Sequence, residues 1–156
     1  MPFSGGQSIA LYEVCRAQKH DQRPIRALIR TAGINPIGLK WSRFVVAVDA
    51  HGELVGCGQV KAHRDGSQEL ASIAVKRGWQ RRGVATAVVW ELQGTYGRPL
   101  WLTCMDRLVP FYEPFGFVEI SDKEQMPPYF QRATRLFNLY LKLTRGTGRL
   151  AVMVWL

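Results

Sequence analysis

The segment from Gln80 to Ala85 contains residues whose types and order can bind an anion. It follows a short apolar run, Leu70–Val75, and a basic turn, and it opens an amphipathic stretch, so the predicted order is strand, turn, helix. The free backbone N–H groups at a helix N-terminus attract negative charge. Gly83 leaves room for close approach of a ligand to the backbone, and Arg81 and Arg82 add positive charge that suits a pyrophosphate.

Two further side chains have types suited to proton transfer. Glu69 stands at the start of the apolar run, beside Leu70 and Ala71, where a carboxylate could act as a general base. Tyr112 carries a phenol that can donate a proton and is neutral at pH 7. Judged from the residues alone, each has an ordinary alternative. Glu69 could be a surface residue at a strand end, and Tyr112 a half-buried aromatic whose hydroxyl has a hydrogen-bond partner.

The chain from Phe44 to Val118 resembles the GNAT acetyltransferases. Gln80-Arg81-Arg82-Gly83-Val84-Ala85 is similar to the family's Gln/Arg-x-x-Gly-x-Gly/Ala signature. The segment Phe111–Phe117 is similar to the family's Phe-Tyr-x-x-x-Gly-Phe segment. One predicted helix and one predicted strand separate the two motifs, and this combination is more specific than the loop alone.

The resemblance implies that acetyl-CoA is the co-substrate. The loop would hold the pyrophosphate, and main-chain groups at the end of the preceding strand would pair with the pantetheine arm and polarise the acetyl carbonyl. Glu69 would be the base, acting directly or through a water, and Tyr112 the acid that protonates the leaving thiolate. The residues implied in cofactor binding are Ile73, Ala74, Val75, Gln80, Arg81, Arg82, Gly83, Val84, Ala85 and Thr86.

One position departs from the family pattern. Many members have an Asn about seven residues before the tyrosine, where it helps to hold pantetheine, and this chain has Met105 there. The effect of Met105 on binding stays open. The run Leu100–Thr103 is similar to members that act on amino acids, but it does not name a substrate.

Composition and charge favour one globular domain spanning residues 1–156, with residues 1–8 expected to be flexible. The formal net charge of +9, from 21 Lys+Arg against 12 Asp+Glu, favours anionic partners. Apolar runs are shorter than the roughly 18 residues that a membrane-spanning helix needs. The N-terminus lacks the pattern of a secretory signal, so we expect a cytoplasmic protein with no membrane partner.

The three cysteines, Cys15, Cys57 and Cys104, are too scattered for a disulfide framework. Because each lies in an apolar run, we expect three buried, reduced thiols. The histidines and cysteines also lack the spacing of metal ligands, so we expect no structural metal.

The pattern along the chain predicts an α/β fold with a mixed, largely antiparallel twisted sheet and helices on both faces. Phe44–Val48 and Leu54–Ala62 are expected to form a hairpin, and Gly56 and Gly58 predict a bulge or a close backbone contact. The helix after Gly83 is expected to end at Gly94. The other predicted elements are strands at Ile9–Ala17, Leu100–Thr103, Phe117–Ile120 and Leu150–Trp155, and helices at Pro24–Gly33 and Pro127–Leu143.

The predicted helix Pro127–Leu143 has an apolar face. Its members are Phe130, Ala133, Leu136, Phe137 and Tyr140.

Two classes of function fit these observations. The first is an acetyl-CoA-dependent N-acetyltransferase that transfers the acetyl group directly, in a ternary complex, to a primary amine of a small molecule or a protein. The second is a non-catalytic basic module that binds acyl-CoA or nucleic acid. The presence of both Glu69 and Tyr112 favours the enzyme, and the chain lacks a nucleic-acid-binding signature. The acceptor amine and the oligomeric state, including a homodimer, stay open.

Overall fold

The computed structural model describes residues 11–156. The expected flexibility of residues 1–8 and the start of the predicted first strand, residues 9–10, lie outside the described residues. The described strands are β1 (Tyr12–Arg16), β2 (Phe44–Asp49), β3 (Leu54–Ala62), β4 (Gln68–Val75), β5 (Leu100–Met105), β6 (Val118–Glu119) and β7 (Leu150–Trp155). The helices are α1 (Gln22–Thr31), α2 (Val84–Tyr96), α3 (Val109–Tyr112) and α4 (Pro128–Thr144).

The strands form one sheet in the order β1-β2-β3-β4-β5-β7-β6. Every neighbouring pair is antiparallel except β4 and β5, which are parallel. The predicted hairpin is β2–β3, closed by a turn in which the Asp49 side chain accepts from the backbone N–H groups of His51 and Glu53. The mixed, largely antiparallel sheet that the sequence predicts is therefore confirmed.

Helix α2 covers one face of the sheet. Its apolar positions recur three and four residues apart, so Val84, Val88 and Leu92 share one side of the helix and are buried. They pack against strand residues such as Leu70 and Leu102 in the largest core cluster. This face also buries Phe117, which follows α3.

Helices α1 and α4 lie on the opposite face. Ile25 and Ile29 of α1 pack on Phe44, Val46 and Cys57, which alternate with the residues under α2. Phe130 near the start of α4 is fully buried and packs against the partly buried Trp101. Helices therefore lie on both faces, as predicted.

The glycines of β3 allow α2 to approach the sheet closely. A Cβ at Gly56 would lie 2.5 Å from Val84, and a Cβ at Gly58 would lie 2.5 Å from Ile73 and 2.7 Å from Val88. The register of β3 against β4 also shifts between Cys57 and Gln59. The prediction of a bulge or close contact is confirmed, and both occur.

Three expectations need correction. Cys15 is exposed rather than buried, because β1 is the edge strand. Helix α2 continues past Gly94 to Tyr96, because Gly94 has no positive φ, and it ends instead at Gly97, the C-cap, whose φ is +69°. On α4, Phe130 is buried but Leu136 is 66% exposed and Tyr140 is 59% exposed. The residues of α4 that pack in the core lie in its first turns. Leu136 and Tyr140 are exposed because the second half of the helix extends beyond the part of the sheet that it covers.

Within residues 11–156, none of the helices combines the length and the apolar character needed to cross a membrane.

Candidate active site

An opening between β4 and β5 forms the centre of the candidate site. In the described residues the two parallel strands are paired at one position, Glu69 opposite Trp101. Beyond this pair, β4 continues along β3 to Val75 and β5 continues along β7 to Met105. The backbone edges of the two strands that face each other there are free to bond a ligand by strand addition.

A pocket of about 180 Å³ adjoins this opening at the end of β4. It brings together seven of the ten residues implied in cofactor binding: Val75, Gln80, Arg81, Gly83, Val84, Ala85 and Thr86. Trp79 and Phe111 complete the lining, and the sequence analysis did not single them out as binding residues. Both could have been found from their positions, because Trp79 directly precedes the loop motif and Phe111 is the first residue of the second motif.

The other three implied residues are placed differently. Ile73 packs under α2, and Ala74 is buried in the cluster under α1, so only their backbone groups can take part in binding. Arg82 lies outside the pocket lining, with its guanidinium 5.0 Å from the centre of the Trp79 ring. This cation–π contact holds a positive charge beside the loop.

The loop has the geometry of an anion-binding site. Arg81 and Gly83 both have positive φ, at 62° and 80°, and Gly83 is the N-cap of α2 without a side-chain cap. The Gly83 carbonyl accepts from the N–H of Ala87, which is where the helical ladder begins. The first-turn N–H groups before Ala87 therefore have no helical acceptor and point out of the helix end. Backbone amides and two arginines suit a pyrophosphate.

Tyr112 lies on the α2 side of the sheet. Its side chain is 8% exposed, and it makes edge-to-face contacts with Phe111 and Phe117 at centroid distances of 4.9 and 6.0 Å. Burial, followed by the nearby Cys104, raises the pKa of Tyr112 well above that of an ordinary phenol. The phenol therefore keeps its proton throughout the neutral range, as a proton donor requires.

Glu69 lies on the opposite side of the sheet, where it belongs to a buried polar cluster. The residue is 7% exposed, and its Oε2 lies 2.7 Å from Nε2 of His63. The His63 ring stacks on Tyr129 with centroids 3.4 Å apart. Burial and the neighbouring Glu69 carboxylate raise the pKa of Tyr129 to about 12. The surface alternative for Glu69 is therefore wrong.

The sequence analysis missed His63 and Tyr129. His63 stands in the β3–β4 turn and Tyr129 at the start of α4, so no local motif joins them. The one available signal was hairpin register, which places Lys61 opposite Glu69 and brings His63 near it.

A second buried polar group lies on the same face at the β4 bulge. Ser72 has φ +59°, and its hydroxyl accepts from Nε2 of Gln59 at 2.8 Å. Gln59 is fully buried, and its Oε1 has no partner among the described residues. The bulge breaks the alternation of β4, so that Ile73 and Leu70 both pack under α2 although they are three residues apart.

Met105, which replaces the family's usual Asn, ends β5. Its Cε would lie 2.7 Å from a Cβ at Gly148, so the side chain packs closely against the glycine before β7. No three His, Cys, Asp or Glu side chains of residues 11–156 gather in a way that could hold a metal ion.

Comparison with known proteins gives the family context of this geometry. The family model described as "Acetyltransferase (GNAT) domain" matches residues 40–119, just over half of the chain. Among curated protein sequences, none matches this chain significantly.

Solved structures share the fold. Rv2747 from Mycobacterium tuberculosis, in complex with CoA, superposes with a TM-score of 0.70 at 22% identity over 92% of this chain and 98% of that chain. N-acetylglutamate synthase from Neisseria gonorrhoeae, complexed with coenzyme A and N-acetyl-glutamate, gives 0.69 at 19% identity over 93% of this chain. This chain spans only 35% of that enzyme's length. The ribosomal-protein-S18-alanine N-acetyltransferase from Escherichia coli gives 0.61 at 16% identity over 92% of both chains.

Proposed function

Because this chain belongs to the GNAT acetyltransferase family, we propose that it transfers the acetyl group of acetyl-CoA to a primary amine in a ternary complex. The opening between β4 and β5 is the observation that carries the proposal. It runs from the anion-binding loop toward Glu69. Tyr112 belongs to the core cluster under α2, and Glu69 contacts His63, which packs on Phe130 of α4 on the opposite face.

The residues present fit acetyl-CoA. Its pyrophosphate would lie against the backbone N–H groups from Arg81 to Thr86, with Arg81 and Arg82 supplying charge. The free edge of β4 from Ile73 to Val75 would bond the amide groups of the pantetheine arm. This fit rests on the open amides and the positive φ values of the loop, which leave its N–H groups without helical acceptors.

The chemistry assigned to the chain's own residues is proton transfer. Glu69 takes the proton that the acceptor amine must lose to become a nucleophile. Tyr112 holds its proton at neutral pH and donates it to the sulfur of the departing thiolate. An N–C bond forms and a C–S bond breaks, so the products are an amide and CoA.

A non-catalytic basic module that binds acyl-CoA or nucleic acid is the second candidate. The net charge of +9 and the anion-binding loop would serve such a module equally well. The buried carboxylate at the opening favours the enzyme, because burial of Glu69 serves no purpose in phosphate binding and costs solvation energy. A cytoplasmic location and a homodimer stay predictions from the sequence.

The acceptor class is open, and two assays in series test the proposal. Calorimetric titration with acetyl-CoA comes first, followed by thiol release measured over amino acids, polyamines, aminoglycosides and peptides with free N-termini. We expect binding and amine-dependent thiol release. Polyamines should be poor acceptors, because like charges repel on encounter with a basic protein. Binding without thiol release above background would support the non-catalytic module.

A further inference from the structure

The contact between His63 and Glu69 is held in place from several sides. The Glu69 side chain is buried and the His63 side chain is mostly buried, at 9% and 14% exposed, and the nitrogen–oxygen distance is 2.7 Å. Tyr129 stacks on the His63 ring with an interplanar angle of 15°, and Phe130 meets the ring edge-on at 6.0 Å. These contacts restrict the plane of the imidazole, and its Nε2 faces the carboxylate.

The turn that carries His63 is tied to α4. The backbone N–H of Tyr129 donates to Oδ2 of Asp65 at 2.8 Å. Hydrogen bonding from the Ser67 side chain, with further help from the Tyr129 N–H, lowers the pKa of Asp65 to about 2, so this anchor stays ionised. The His63 backbone N–H donates to the Ser67 carbonyl. These bonds fix the imidazole relative to β4.

Two other polar groups lie near Glu69. Tyr129 is a phenol with a raised pKa, so it can only donate near neutral pH. Lys61 lies opposite Glu69 in the hairpin, its Nζ donates to the Ile37 carbonyl at 3.0 Å, and Arg43 lies near it. Nε2 of His63 lies 2.7 Å from the carboxylate. Because an ionised carboxylate can only accept, Nε2–H is the donor in this contact.

We propose that His63 positions the Glu69 carboxylate for removal of a proton from the acceptor amine. The Nε2–H of His63 donates to Oε2 of Glu69, which leaves Oε1 to take the proton. An N–H bond of the amine breaks as an O–H bond forms at Oε1, and the carboxyl releases this proton to solvent when the product leaves. His63 acts through Glu69, so it is a positioning residue, and the assignment rests on the proposed function.

The test compares His63→Ala and His63→Gln with His51→Ala, a matched change in the exposed β2–β3 turn. Alanine removes the donor to Glu69, whereas glutamine can keep it. We expect His63→Ala to lower kcat by roughly 10- to 100-fold, to leave KM for acetyl-CoA unchanged, to alter the pH profile of kcat and to regain activity with added imidazole, which fits the space left by the ring. His63→Gln should keep most of the activity, and His51→Ala should match the wild type. An equal loss in His63→Gln and His63→Ala, or a loss in His63→Ala that imidazole does not restore, would overturn the positioning role.

A second measurement does not depend on turnover. The ring ¹⁵N shifts of His63 report whether Nε2 shares a hydrogen bond, so they should change in Glu69→Gln, while those of His51 should not. Identical His63 shifts in the two proteins would overturn the proposal. If no amine in the panel is acetylated, the proposed function fails, and the ¹⁵N shifts still decide whether the His63–Glu69 pair exists.

Discussion

Glu69 on β4 is paired with Trp101 on β5, and the opening between these two strands begins at this pair. The same residue therefore marks where the strands part and carries the carboxylate that we assign as the base. A carboxylate at this point can reach an amine that approaches from the α1 and α4 side of the sheet.

The first prediction concerns the conformation of the loop. Gly83 has φ +80°, and its Cβ position is 3.5 Å from the nearest atom, the Tyr12 hydroxyl, so alanine would fit sterically but not conformationally. An alanine in this region costs about 1–2 kcal/mol, and we expect Gly83→Ala to weaken acetyl-CoA binding by about tenfold. Calorimetry measures the affinity, and circular dichroism checks the fold.

Gly94→Ala is the matched control for that change. Gly94 lies in the same helix with open space around its Cβ position and no positive φ. Its replacement should leave the affinity unchanged and stabilise the helix by up to about 1 kcal/mol. Equal affinities of Gly83→Ala and the wild type for acetyl-CoA would contradict the placement of the pyrophosphate.

The second prediction concerns salt. Affinity for acetyl-CoA should fall as ionic strength rises, because exposed arginines attract the phosphates through solvent. Arg82→Gln should weaken binding by about two- to fivefold at low salt and flatten the salt dependence. Arg26→Gln on α1 is the control and should behave like the wild type. A flat response in the wild type would mean that backbone amides alone bind the anion.

The third prediction separates the role of Tyr112 from binding. Tyr112→Phe removes only the hydroxyl and should lower kcat by about 10²-fold or more, with little change in KM for acetyl-CoA. Because burial raises the pKa of Tyr112, the wild-type rate should show no loss from phenol ionisation below about pH 10. Tyr96→Phe in α2 is the control. Wild-type rates in Tyr112→Phe would make the hydroxyl structural.

The fourth prediction concerns the buried polar pair at the bulge. Ser72→Ala leaves the Gln59 amide buried without its partner, and we expect a loss of about 1–3 kcal/mol in the free energy of unfolding. Ser72→Gly removes the same hydroxyl but relieves a φ of +59°, so it should be more stable than Ser72→Ala by about 1 kcal/mol. Urea denaturation measures both, and the reverse order of stability would refute the argument.

The fifth prediction is a pH dependence of stability. Burial raises the pKa of the Cys57 thiol to about 12, whereas an unfolded thiol titrates near pH 8.5. The stabilisation from the neutral buried thiol is therefore complete below about pH 8.5 and is lost as pH rises toward 12. Cys57→Ala should show a shallower fall in stability from pH 8 to 10.5 than the exposed-site control Cys15→Ala. Parallel curves would contradict the assignment.

Helices and strands of this protein could be predicted from sequence where their structure depends on residues within the same segment. Hydrophobic periodicity identified the hairpin β2–β3 and the buried face of α2, since Val84, Val88 and Leu92 lie on one side of any helix that contains them. The same reasoning failed for the second half of α4. Periodicity shows which side chains share a face, but not how far the sheet extends beneath them, so it gave no warning that Leu136 and Tyr140 are exposed.

The anion-binding loop could be predicted from the sequence, because it is formed by consecutive residues, from Gln80 to Thr86, and by the local conformation of Gly83. The residues that surround Glu69 could not be predicted in this way. His63 comes from the β3–β4 turn and Tyr129 from α4, and sheet register and helix packing bring them to the carboxylate. Local sequence selects the backbone conformation, but contacts between residues distant in sequence form only when the hydrophobic core packs. Tertiary packing therefore decides which side chains contact Glu69.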